Sequence, residues 1–125
     1  MKWELVLIVV AVIVVLLTFN LRAESTLSTD EARKHLAAGA KLIDVRTVGE
    51  FEGGHISSAI NIPLDHIKTG ITNTAPDKGT VILLHCRSGR RSGIAVKELR
   101  AIGYTNVFNL GSYQQAEKAV QKSGN

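Results

Sequence analysis

One stretch limits the folds open to this chain more than any other: Thr80-Val81-Ile82-Leu83-Leu84-His85, which runs straight into Cys86. A strand with one wet face alternates apolar and polar residues. The adjacent aliphatics Val81 to Leu84 instead imply burial on both faces, as in a parallel sheet. Parallel strands need crossover connections, usually helices, and the rest of the chain supplies them. Ser28-Thr29-Asp30-Glu31 reads as a capping box. It opens a short helix through Ala32, Leu36 and Ala37 that Gly39 stops. Ile94, Ala95, Leu99 and Ile102 repeat at helical spacing before Gly103, and Gln114 to Gln121 predicts a last helix. Leu42 to Val45, Ala59 to Ile62 (closed by Pro63) and Asn106 to Leu110 are further strand candidates. Leu64 to Ile71 predicts one or two helical turns, and Pro76 to Gly79 a turn. The expectation is an α/β fold: a mostly parallel central sheet of about five strands with helices on both faces.

The 125 residues suit one compact domain, assigned to residues 24–125. Ahead of it, Leu5 to Leu17 is continuously apolar. From Trp3 to Leu21 a helix is about 28 Å long, close to a bilayer core, and Trp3 suits an interface. Residues 1–23 are therefore expected to form a transmembrane anchor. The competing reading is a cleaved signal peptide, for which Leu21-Arg22-Ala23 makes a poor cleavage site. Counting cations places the N-terminus inside and the domain on the periplasmic or exterior side. A cleaved periplasmic form and a cytoplasmic-facing domain are the alternatives.

The formal charge of +4 comes without a basic run, so no nucleic-acid partner is expected. The single Cys excludes an internal disulfide and a multi-Cys zinc site. His35, His55, His66 and His85 lack metal-ligand spacing, so no metal is expected. After the strand comes Cys86-Arg87-Ser88-Gly89-Arg90-Arg91, opening a helix near Ser92. Ligands in open α/β sheets sit beyond the carboxyl ends of strands. A loop there, entering a helix, turns backbone N–H groups inward. Gly89 permits a backbone angle or a close approach that a side chain would block. Three arginines surround one sulfur, a setting that favours the thiolate. A thiol of pKa about 8.5 is only about 3% ionised at pH 7, and one of about 6.5 is roughly three-quarters ionised. His85 precedes Cys86 in a strand, so its side chain should face the other way.

Cys86-Arg87-Ser88-Gly89-Arg90-Arg91-Ser92 resembles the active-site loop of the rhodanese (sulfurtransferase) family, C-x-x-G-x-R. A second set agrees: Asp44-Val45-Arg46, Glu50-Phe51, Gly54-His55-Ile56, Ala59 and Asn61-Ile62-Pro63 resemble the family's other signature. The likeness covers about residues 25–122, and it is similar to the short periplasmic phage-shock type with a single domain. It implies a rhodanese-like fold and a persulfide on Cys86, loaded by thiosulfate and passed to cyanide or a thiol, with no metal and no organic cofactor. It also implies a substrate cradle of Arg87, Ser88, Gly89, Arg90 and Arg91. Asp44, Arg46, Glu50 and His55 are expected to be structural support, with Arg46 and Glu50 as an ion pair. One stretch departs from the pattern. Gly111-Ser112-Tyr113-Gln114-Gln115-Ala116 stands where the family often has Gly-Gly followed by Trp, so the pocket wall should differ.

Two other functions compete. Cys-dependent phosphatases and arsenate reductases use an H-C-x5-R loop, but here Arg91 is the fifth position after Cys86 and Ser92 the sixth. A non-catalytic rhodanese-like binding module is the other, although this chain keeps both the Cys and the loop charge.

Overall fold

A computed structural model describes residues 2–22 and 26–121. Helix α1 (Lys2–Arg22) comes first, with its apolar side chains from Leu5 to Leu17 exposed. The expected transmembrane anchor is overturned: among the described residues no helix is long and apolar enough to cross a membrane. The uninterrupted run Leu5–Leu17 rises only about 20 Å, short of a hydrocarbon core of about 30 Å. The periplasmic-facing, membrane-anchored placement falls with it. The flank and cleavage-site readings at Ala23 and Glu24 lie outside the described residues.

The domain then runs α2 (Thr29–Ala37), β1 (Lys41–Asp44), α3 (Val48–Glu52) and β2 (Ile60–Asn61), followed by a 3-10 turn (Leu64–His66). After it come α4 (Ile67–Thr74), β3 (Ile82–His85), α5 (Arg90–Ala101), β4 (Val107–Gly111) and α6 (Tyr113–Val120). Ser28 caps α2 as expected, accepting the Glu31 N–H. Helix α3 was not foreseen, because its five residues are too few to show a period. Its capping box is nevertheless present in Thr47 and Glu50.

The strands lie in the order β2-β1-β3-β4, and every neighbouring pair is parallel. The sheet has four strands, not the expected five. Beside β4, where another edge strand would pair, Leu27 donates one backbone bond to the Asn109 carbonyl at 2.9 Å before the chain turns into α2. Alternation along β3 divides two cores. Ile82, Leu84 and Cys86 join Ile67, Ile71, Ala95 and Leu99 under α4 and α5. Leu83 joins Ala32, Leu110 and Ala116 under α2 and α6. The central strand is thus buried on both faces, as its sequence demands, and its carboxyl end opens directly into the cysteine loop.

Candidate active site

At the end of β3 the ladder to β4 slips: Leu84 pairs with Asn109, whereas His85 pairs with Gly111. Cys86 N–H still reaches the Gly111 carbonyl at 3.2 Å. The next residues leave the sheet, but the loop is tied down. Ser88 bridges Ser112, and Tyr113 N–H donates to the Arg87 carbonyl at 3.3 Å. Gly89 then takes φ 95° and ψ −8° immediately before α5. A Cβ there would lie 3.2 Å from Gly111 Cα, so both angle and space call for glycine.

Gly89 offers α5 no side-chain cap. The first-turn amides of a helix need an acceptor, and here a sulfur supplies it. Gly89 N–H donates to Cys86 Sγ at 3.0 Å, and the Ser92 hydroxyl lies 3.6 Å from the same atom. The Cys86 side chain is fully buried, at 0% exposure. Burial pushes the thiol up. The Ser92 amide and hydroxyl and the amides of Gly89 and Ser88 pull it down, and the net result lies below the ordinary cysteine value. Hydrogen bonds to the charged form therefore outweigh desolvation.

The arginines act less directly than the sequence suggests. Arg87 and Arg90 are exposed. Arg91 holds Glu50 through two bonds, at 2.6 and 3.0 Å, while its raised pKa reflects Glu50 first and the Cys86 charge further down. Glu50 is held down to about 2, chiefly by Arg91 and also by the Thr47 amide and hydroxyl, against the upward push of burial. The expected Arg46–Glu50 ion pair is therefore replaced by two others. Arg46 instead grips buried Asp44, with Nη2–Oδ2 at 2.7 Å, and donates to the Gly54 carbonyl at 2.8 Å. Asn61 Nδ2 clasps the carbonyls of Asp44 and Arg46, each at 3.0 Å, which fixes the start of this corner.

His85 faces away from Cys86, as expected from alternation. Its Nε2 is buried without a hydrogen-bond partner, 3.8 Å from Asp44 Oδ2. Burial pushes its pKa down, against the pull of Asp44, which keeps the ring neutral. Tyr113, in the departing stretch, packs edge-on to His85 at 5.9 Å and carries the Arg46 guanidinium 4.8 Å over its ring. His55 stacks on Phe51 and bonds its carbonyl at 2.8 Å, away from the sulfur. A cleft of about 630 Å³ lies beside the loop, lined by Arg87, Arg46, Glu50, Ser112 and Tyr113. A cavity of about 680 Å³ at the start of β1, bordered by Leu36, Lys41 and Val120, includes no residue of the cysteine loop.

Two polar residues at the site were missed by sequence reasoning. Ser92 carried a signal, since it lies on the first turn of a helix that begins behind a cysteine. Asn109 carried none: only the β3–β4 register brings it to the loop.

Comparison with known proteins agrees with this geometry. The Rhodanese-like domain family matches residues 28–119. Thiosulfate sulfurtransferase PspE of Escherichia coli is 42% identical over 69 residues, which is 55% of this chain and about two thirds (66%) of that relative's own length. Thiosulfate sulfurtransferase 18 of Arabidopsis thaliana is 35% identical over 108 residues, covering 72% of this chain and 76% of that one. The solved structure of a human single-domain sulfurtransferase, TSTD1, superposes with a TM-score of 0.66 at 28% identity, covering 78% of this chain and 97% of that one. With the parallel sheet, the glycine-turned loop at the end of β3 and the family match across most of the domain, this chain belongs to the rhodanese-like domain family.

Proposed function

We propose that the protein is a sulfurtransferase that moves a sulfane sulfur from thiosulfate to a thiophilic acceptor through a persulfide on Cys86. The observation that carries this reading is the sulfur of Cys86 held 3.0 Å from the Gly89 N–H at the mouth of a helix. The Cys86 thiolate attacks the outer sulfur of thiosulfate. The S–S bond to the sulfonate breaks, its electron pair leaves with sulfite, and Cys86 carries S–S⁻. Cyanide or a thiolate then attacks the outer sulfur, and Cys86 departs as thiolate. The amides of Ser88, Gly89 and Ser92 hold the ionised sulfur, and donors of this kind need no reorganisation during reaction. Arg87, exposed at the cleft, draws in the anionic donor, and Arg90 adds to that field. Arg91, braced by Glu50, steadies the loop, while Asp44 and Arg46 hold the corner beneath it.

The test is thiocyanate formation from thiosulfate and cyanide by the full chain, run beside hydrolysis of phenyl phosphate. Turnover to thiocyanate that disappears in Cys86→Ser supports the reading. Hydrolysis without thiocyanate assigns the loop to phosphate chemistry, and neither activity leaves a binding module.

A further inference from the structure

Behind the sulfur lies a side chain that the reaction above does not use. Asn109, on β4, accepts the Gly111 N–H at its Oδ1 (2.9 Å) and donates from Nδ2 to the Gly89 carbonyl (3.0 Å). Those two bonds fix which end of the carboxamide faces which way. The Ser92 hydroxyl has a single proton and three acceptors within range: Asn109 Oδ1 at 2.8 Å, the Gly89 carbonyl at 3.1 Å and Cys86 Sγ at 3.6 Å. The Gly89 carbonyl already receives Asn109 Nδ2–H and the Gly93 N–H at 3.1 Å, which fills its two lone pairs. The choice therefore narrows to a carboxamide oxygen or the sulfur.

We propose that Asn109 is a positioning residue for sulfur transfer, holding the Ser92 hydroxyl proton while Cys86 is uncharged and yielding it when Cys86 becomes a thiolate. The neutral amide oxygen is the better acceptor against a thiol or the inner sulfur of a persulfide. A thiolate is the better acceptor against the amide, because bonds to an ionised acceptor are roughly twice as strong. The hydroxyl thus turns toward Sγ as the acceptor takes the outer sulfur and the S–S electron pair settles on Cys86. No proton changes owner, since the hydroxyl rotates and remains a hydroxyl. Asn109 Nδ2 meanwhile holds Gly89, whose own N–H is the other close donor to the sulfur.

This proposal rests on the sulfurtransferase reading for its purpose, but its test does not. Cys86 is the only cysteine, so its ionisation in the full chain can be followed by thiolate ultraviolet absorbance and by iodoacetamide alkylation against pH. Asn109→Leu removes the shorter of the competing acceptors, leaving the Ser92 proton to the sulfur and to the Gly89 carbonyl at 3.1 Å, which loses the Asn109 Nδ2 donor and regains a lone pair. The thiol pKa is expected to fall by about half a unit to one unit, and the fall is expected to vanish when Ser92→Ala is also present. Asn109→Asp keeps an acceptor for the Gly111 amide and holds the hydroxyl more tightly. It should raise the thiol pKa, and by more with Ser92 than with Ser92→Ala. A shift independent of residue 92, or a rise with both substitutions, overturns the proposal and leaves Asn109 as loop scaffolding. If the shifts appear but thiocyanate does not, the positioning role stands and the sulfurtransferase reading fails.

Discussion

At Gly89 one backbone angle serves two ends. The left-handed φ of 95° turns the chain into α5 and also aims the residue's own N–H at Cys86 Sγ. For an L side chain that conformation costs roughly 1–2 kcal/mol, and the 3.2 Å approach to Gly111 Cα adds a contact that only backbone movement relieves. Gly89→Ala is therefore expected to lower the urea midpoint and to raise the Cys86 pKa as the amide swings away. Unchanged alkylation kinetics in a folded Gly89→Ala protein would contradict the arrangement. The pH dependence of the parent chain has a definite sign. The folded thiol lies below its ordinary value, so the midpoint of the alkylation rate against pH should fall below that of an ordinary cysteine, with the rate slowing as pH falls through it. Cys86 and Gly89 were legible in the sequence because their chemistry is written in adjacent letters. What the letters concealed was the source of the lowered thiol pKa. Three neighbouring arginines drew attention, while the larger downward pulls come from amides and a serine hydroxyl that carry no charge.

Helix α3 shows how a short element acquires importance through its ends. Five residues cannot sustain a helix by propensity, and the reciprocal Thr47–Glu50 cap supplies part of what holds it. The same Glu50 carboxylate crosses to Arg91 on α5 at 2.6 Å. A carboxylate lowered to about 2 from an unfolded value near 4.5 adds stability that is present above the unfolded pKa and lost as pH falls toward the folded one. Both partners are about one-third exposed, so solvent screens the pair and the effect is modest. Melting temperature measured from pH 6 to pH 2 should show a decline that is shallower in Glu50→Gln. Parallel curves would remove Glu50 from the acid response. The sequence suggested Arg46 as the partner of Glu50. In fact Arg46 stands before the cap, outside α3, and folds back onto Asp44. The other strands and helices fall within a residue or two of their expected positions, except that α4 continues past the expected Ile71 to Thr74. Ile60–Asn61, with only two paired residues, still lies inside the expected strand Ala59 to Ile62.

Across the whole molecule, the sheet order places β3 between β1 and β4, so residues 44, 86 and 109–113 converge although they are far apart in the chain. Parallel connections of this kind make the site a product of crossover geometry, which no local pattern reveals. The far end of the same layer is secured by Tyr104, almost wholly buried. Its hydroxyl donates to the Ala75 carbonyl at 2.7 Å, past the end of α4. Tyr104→Phe strands that carbonyl and should cost about 1–3 kcal/mol. Urea unfolding is expected to show the loss while the thiol titration stays unchanged. A shifted titration would mean that strain passes through α5 to the loop. The sealing of the Cys86 side chain also has a chemical consequence at this scale. An ionised thiol is ordinarily the first casualty of peroxide, and this chain has no second cysteine to rescue a sulfenic acid by forming a disulfide. With that side chain at 0% exposure, a peroxide has to pass the loop before it can meet the sulfur.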